Sequence, residues 1–143
     1  MTKMLGPPKG IIIHHSLTKD GKTESWASIK KYHMEEKGWD NIGYHLGLEY
    51  VGDKVMIIEG RPMNMQGGHC VGKNTWLGIC VVGNFDQEKC PSDKFESLVE
   101  LVRALVGQYK FTKEQIQPHN KYAPKSCPGK LFQFQELITR VFT

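Results

Sequence analysis

Short apolar runs along the chain predict four β-strands. Residues 10–14 contain three consecutive isoleucines, and such a β-branched run is typical of a strand that is buried on both faces. Residues 44–50 and 54–58 predict two strands joined across Gly52 and Asp53, a pair that favours a hairpin turn. A further apolar run over residues 77–82 predicts the fourth strand.

Apolar positions at helical spacing predict three helices. The first covers residues 25–37, with Ser25 as its N-cap and with Trp26, Ile29 and His33 on one stripe. The second begins at Ser92 and has the clearest apolar stripe, which indicates a helix packed on the core. Its stripe consists of Phe95, Leu98, Val99, Val102, Leu105, Val106 and Tyr109. The third covers residues 129–142, and its predicted inward positions are Leu131, Phe134, Ile138 and Val141.

The order of these elements predicts the fold class. Alternating strands and helices indicate an α/β protein with a central mixed sheet flanked by helices. A length of 143 residues is typical of one domain, so we expect a single domain over residues 1–143 with its core over about residues 10–142. Residues 59–75 are rich in Gly, Met and Asn and predict a long surface loop. Long ordered loops in compact domains are often functional.

Composition and charge narrow the classes of function. The fractions of hydrophobic residues (39%) and charged residues (24%) exclude a disordered chain. No apolar run resembles a signal peptide or a membrane span, so we expect synthesis in the cytoplasm and no membrane insertion. The net charge of +4 favours contact with an anionic surface such as a bacterial wall. No basic block occurs, so we expect no nucleic-acid partner, and we expect a monomer.

Histidine and cysteine residues supply the candidate chemistry. The chain has 4 cysteines without a Cys-x-x-Cys pair, and we expect Cys70, Cys80 and Cys90 to be free thiols. His14, His119 and Cys127 offer two imidazoles and one thiolate, a three-ligand set that is typical of catalytic zinc with water in a fourth position. Spacing alone does not bring these residues together, because they are far apart in the sequence.

Several short motifs occur in an order that resembles a known family. The motifs are Ile11-Ile12-Ile13-His14-His15-Ser16, Gly43-Tyr44-His45, Glu59-Gly60-Arg61, Gly68-His69, Gly78-Ile79, and His119 with Ala123-Pro124-Lys125-Ser126-Cys127-Pro128. Over about residues 10–135 the chain resembles the zinc-dependent N-acetylmuramoyl-L-alanine amidases. This family includes phage lysozymes of amidase type and peptidoglycan recognition proteins. The last motif is closest to the phage enzymes, because the recognition proteins usually lack its lysine.

The resemblance implies roles for individual residues. It implies that His14, His119 and Cys127 bind one zinc ion per chain, that Tyr44 and Lys125 are catalytic beside the metal, and that His69 and Asn74 line the substrate groove. The neighbouring residue His15 is an alternative ligand to His14. Adjacent strand residues point to opposite faces, so we expect only one of the two at the metal, and the family alignment favours His14.

The implied function is hydrolysis of the amide bond between N-acetylmuramic acid and L-alanine in bacterial peptidoglycan. We expect a phage endolysin that acts on the wall after its release from the host cytoplasm. Two alternatives stay open: a noncatalytic peptidoglycan-binding protein of the same fold, and a cytosolic amidase that recycles wall fragments. Cys127 favours an enzyme, because inactive recognition proteins usually lack the cysteine ligand.

Overall fold

The computed structural model describes residues 1–17 and 26–143. Ser25, the predicted N-cap, therefore lies outside the described residues. The strands are β1 (Ile11–His15), β2 (Leu46–Val51), β3 (Lys54–Glu59), β4 (Leu77–Val81) and β5 (Ile116–Pro118). The helices are α1 (Trp26–Glu35), α2 (Ser92–Tyr109) and α3 (Phe134–Val141), with 3-10 turns at Lys113–Gln115 and His119–Lys121. No helix in the described ranges is long and apolar enough to cross a membrane.

The strands form one five-stranded mixed sheet in the order β3-β2-β4-β1-β5. β1 runs parallel to both of its neighbours, and β2 runs parallel to β4 but antiparallel to β3. In the hairpin between β2 and β3, Gly52 has a φ of 65°, a conformation that glycine adopts without steric cost. The mixed sheet and its flanking helices confirm the predicted α/β class.

The two faces of the sheet have different coverings. On one face, Ile11 and Ile13 of β1 pack with apolar residues of α2 and α3 in the main core. On the other face, Trp26 of α1 packs with Ile42 and Cys80. Cys80 lies in register with His14 on the neighbouring parallel strand, and parallel partners point to the same face. His14 therefore lies on the side of the sheet that α1 covers.

Apart from shifts of one or two residues at the ends of elements, two local predictions differ from the structure. β5 is absent from the prediction, which assigned no strand after residue 82. The last helix begins at Phe134 rather than at residue 129, because Gly129 has a φ of 116° and the Leu131 N–H bonds to the Phe85 carbonyl instead of continuing a helix. Leu131 is consequently exposed rather than inward, and Leu137 is the fully buried residue of this helix.

Two glycines make a matched test of this packing. A Cβ atom on Gly47 of β2 would lie 2.2 Å from the Trp26 ring, so Gly47→Ala is expected to lower the free energy of unfolding by about 1–3 kcal/mol. Gly107 lies in α2, where an added Cβ meets no atom within 4 Å, and Gly107→Ala is expected to raise that free energy by about 0.5–1 kcal/mol. Urea denaturation measures both; a neutral Gly47→Ala would contradict the packing of α1 on β2.

Candidate metal centre

The short strand β5 brings together two histidines that are distant in sequence. It pairs in parallel with β1 so that Pro118 lies opposite Ile13. The next residues along the two strands are His119 and His14, which therefore become neighbours. Their ring centroids are 4.4 Å apart.

Cys127 completes a cluster with these histidines. The ligand atoms of His14, His119 and Cys127 all lie within 4.8 Å of one another, and all three residues are buried. The Cys127 Sγ is 3.8 Å from the His14 Nδ1, and the His15 backbone N–H donates to this sulfur. The Asn120 N–H donates to the Cys127 carbonyl, which joins the two segments of chain that carry His119 and Cys127. We call these three residues the HHC cluster.

The HHC cluster offers the donor atoms of a possible metal site. The His119 Nδ1 is buried and has no hydrogen-bond partner among the described residues. Such an atom is costly unless something satisfies it. Two imidazole nitrogens and one thiolate sulfur are a donor set that zinc prefers, and three protein ligands leave a fourth position open.

His15 takes no part in the HHC cluster. Its Nε2 bonds to the Ser126 carbonyl at 2.7 Å, and its Nδ1 accepts from the Phe85 N–H at 3.1 Å. Both ring nitrogens are therefore engaged on the opposite face of β1 from His14. The alternation that the sequence indicated for the two histidines is present in the structure.

Burial sets the protonation states in the cluster. It lowers the pKa of His14 well below its usual value, with further lowering by neighbouring histidines and Lys125. It also lowers the pKa of His119, again assisted by Lys125. Burial raises the pKa of the Cys127 thiol to about 11. The imidazoles are thus neutral at neutral pH and keep a lone pair, and a bound cation has to displace the thiol proton.

The HHC cluster lies in a cleft of about 520 Å³ whose lining includes Tyr44 and Lys125. The Tyr44 ring centroid is 5.0 Å from that of His14. Burial raises the Tyr44 pKa well above 10, with contributions from Cys80 and Cys127, so the hydroxyl keeps its proton. Lys125 is exposed on the rim, two residues before Cys127. The structure therefore brings both predicted catalytic residues to the cluster.

His69 and Asn74, the predicted groove residues, lie in different surroundings. His69 lies beside His14 in the same cleft, but it is only 9% exposed. The Asn74 Oδ1 accepts from the backbone N–H groups of His69 and Cys70, and Asn74 lines a neighbouring depression instead of the cleft. Asn74 thus orders the loop that carries His69, and its contact with substrate stays a prediction.

Asp86 is a cleft residue that the sequence did not indicate. Its Oδ1 accepts from the Ser126 hydroxyl and, at 2.9 Å, from the Lys130 N–H. These two contacts hold the chain on both sides of Cys127. The sequence did contain one indication of this role. Asp86 follows the carboxyl end of β4, and residues at the carboxyl ends of parallel strands often contribute to ligand-binding sites.

The sequence of this chain is similar to those of known peptidoglycan amidases and recognition proteins. The sequence profile of the N-acetylmuramoyl-L-alanine amidase family matches residues 4–130. The endolysin of Enterobacteria phage K11 is 32% identical over 123 residues, which cover 82% of this chain and 78% of the endolysin. Peptidoglycan-recognition protein SC1a of Drosophila melanogaster is 26% identical over 125 residues, which cover 82% of this chain and 66% of that protein.

The fold of this chain is also similar to that of a solved amidase structure. The N-acetylmuramoyl-L-alanine amidase LysC from Clostridium intestinale URNW superimposes with a TM-score of 0.82 at 31% identity, covering 94% of this chain and 85% of that one. The family profile spans most of the residues, including all of the HHC cluster. The resemblance seen in the motifs is thereby confirmed, and this chain belongs to the N-acetylmuramoyl-L-alanine amidase family.

Proposed function

We propose that this amidase hydrolyses the bond between N-acetylmuramic acid and L-alanine in bacterial peptidoglycan, with one zinc ion held by His14, His119 and Cys127. The observation that carries the proposal is the buried HHC cluster, in which the His119 Nδ1 lacks a partner among the described residues. The cluster opens on a cleft that also contains a protonated phenol and a lysine. This combination suits attack by water on an amide carbonyl.

Zinc, when bound, polarises a carbonyl oxygen and lowers the pKa of a coordinated water to about 7. The chain itself supplies the groups that act on the developing charge. The Tyr44 hydroxyl keeps its proton and donates to the carbonyl oxygen as that oxygen becomes negative. The Lys125 ammonium adds positive charge at the rim, where its field already reaches His14 and His119. Each such donor typically contributes about 3–4 kcal/mol to the transition state.

The departing amine also needs a proton. Tyr44 and Lys125 both line the cleft and both carry a transferable proton, so each can serve as the donor to the leaving nitrogen. Their environments differ: the Tyr44 ring packs against Trp26, Ile42 and Cys80, whereas Lys125 is exposed.

The same relatives support a proposal for where the protein acts. We propose that the protein acts on the cell wall as an endolysin after synthesis in the host cytoplasm, because the K11 relative is an endolysin. A noncatalytic peptidoglycan-binding role is the second candidate, supported by the similarity to insect recognition proteins. The presence of Cys127 in the HHC cluster favours the enzyme. Recycling of wall fragments in the cytosol is a third role for the same chemistry.

Metal analysis tests the proposed site. Purified protein that has not met a chelator is expected to contain about one zinc per chain. Lysis of cell-wall suspensions is expected to stop after dialysis against a chelator and to return on addition of zinc. Protein with less than about a tenth of an equivalent, and with lysis unaffected by the chelator, would contradict the metal site.

A further inference from the structure

We propose that His69 is a positioning residue that holds His14 in the tautomer with its proton on Nε2 and its lone pair on Nδ1. This inference rests on the proposed metal site and assigns His69 a role other than substrate contact. The Nδ1 of His14 is the atom that faces the Cys127 sulfur, at 3.8 Å. His14 can bind a metal ion there only if this nitrogen carries a lone pair instead of a proton.

Two consecutive hydrogen bonds determine which ring nitrogens of His69 and His14 carry a proton. The His69 Nε2 lies 2.8 Å from the Trp76 carbonyl oxygen, and a carbonyl can only accept, so this nitrogen carries the proton. The His69 Nδ1 lies 2.9 Å from the His14 Nε2. In a neutral His69 the Nδ1 is an acceptor, so the His14 Nε2 must be the donor. The His14 Nδ1 is then left without a proton.

The neutral state of His69 follows from its surroundings. The His69 side chain is buried, where a charged imidazolium is costly, and in the neutral ring both nitrogens already have partners, the His14 Nε2 and the Trp76 carbonyl. A cation bound close to His14 would oppose protonation of His69 further. Both ring nitrogens are therefore used within the protein, which leaves no free polar atom on the ring for a substrate.

Two glycines form the slot that holds the ring. A Cβ atom on Gly67 would lie 2.3 Å from the His69 ring, and one on Gly78 of β4 would lie 2.5 Å from it. Neither position accepts a side chain without moving the imidazole. The Asn74 Oδ1 holds the His69 backbone N–H at 3.0 Å. The His69 ring is thus held in one orientation by its backbone hydrogen bond, by the two glycines and by the partners of both ring nitrogens. Such fixed orientation is usual for residues that support metal ligands.

Nitrogen NMR of metal-free protein tests the tautomer directly. Two-bond correlations between ring protons and nitrogens are expected to show His14 and His69 both protonated on Nε2 at neutral pH. In folded His69→Ala protein, His14 is expected to populate the Nδ1-protonated form as well. A wild-type His14 that is protonated on Nδ1 would overturn the inference, and this measurement does not depend on any variant or on bound zinc.

Zinc affinity supplies the second readout. Competition with a chromophoric chelator is expected to show about 10- to 100-fold weaker zinc binding by His69→Ala, partly restored in His69→Gln, whose amide can accept and donate. His33→Phe removes another imidazole from the same cleft and is expected to leave zinc affinity unchanged, since His33 bonds to the Gly43 N–H instead. Folded His69→Ala with wild-type affinity would overturn the inference, whereas wild-type protein without zinc would overturn the proposed function.

Discussion

Cys127→Ser is expected to weaken zinc binding by at least about 100-fold and to abolish wall lysis. The thiolate is the one anionic ligand of the HHC cluster, and a serine hydroxyl does not ionise at neutral pH to replace it. The Cys127 sulfur also accepts a hydrogen bond from the His15 N–H, a contact that a serine hydroxyl can accept as well. Equilibrium dialysis against zinc and turbidity of wall suspensions measure the two losses.

Cys90→Ser is the matched control for this prediction. Cys90 is also a buried thiol, but it lies in the main core beside α2, away from the HHC cluster. Its substitution is expected to cost some stability and to leave the zinc content at wild-type level. Full zinc content and lysis in Cys127→Ser would show that the cluster is not the metal site.

Tyr44→Phe and Lys125→Ala are each expected to lower turnover by about 100-fold or more while zinc content and fold remain as in the wild type. Phenylalanine keeps the ring that packs near Trp26 and His14 but removes the donor. Alanine at position 125 removes the positive charge at the rim. Rates of wall hydrolysis under saturating substrate measure these effects on kcat.

The control for Lys125 is Lys121→Ala. Lys121 is an exposed lysine four residues earlier, beside the Tyr122 ring, and it does not line the cleft. Its loss is expected to leave turnover unchanged. Wild-type turnover in both Tyr44→Phe and Lys125→Ala would mean that the two residues line the cleft without acting on the reaction.

Much of the sheet could be predicted, because its signals are local, whereas the grouping of the three HHC residues was implied by the family resemblance and not by their spacing. The isoleucine run indicated β1, and the alternation of side chains along a strand indicated that His14 and His15 point to opposite faces, while the family resemblance selected His14 as the ligand. β5 could not be predicted in the same way. It has three residues and ends in Pro118, so it carries no periodic pattern, and its pairing with β1 depends on the whole fold.

The contacts around the cluster could not be predicted from the sequence. The position of His69 between Gly67 and Gly78 depends on how residues 60–76 fold back over β4, and no residue pattern specifies that path. The contacts of Asp86 with Ser126 and Lys130 join segments about 40 residues apart. The last helix begins late because Gly129 adopts a positive φ, which apolar spacing does not report.

The most direct test of the account is the chemical identity of the bond that is cut. Purified cell walls digested with this protein are expected to release stem peptides with a new N-terminal L-alanine, while the glycan strands stay intact. End-group analysis before and after digestion measures this, with dinitrophenylation for amino termini and a reducing-sugar assay for glycan ends. New reducing ends without new N-terminal alanine would contradict the account, because they are the products of a glycosidase.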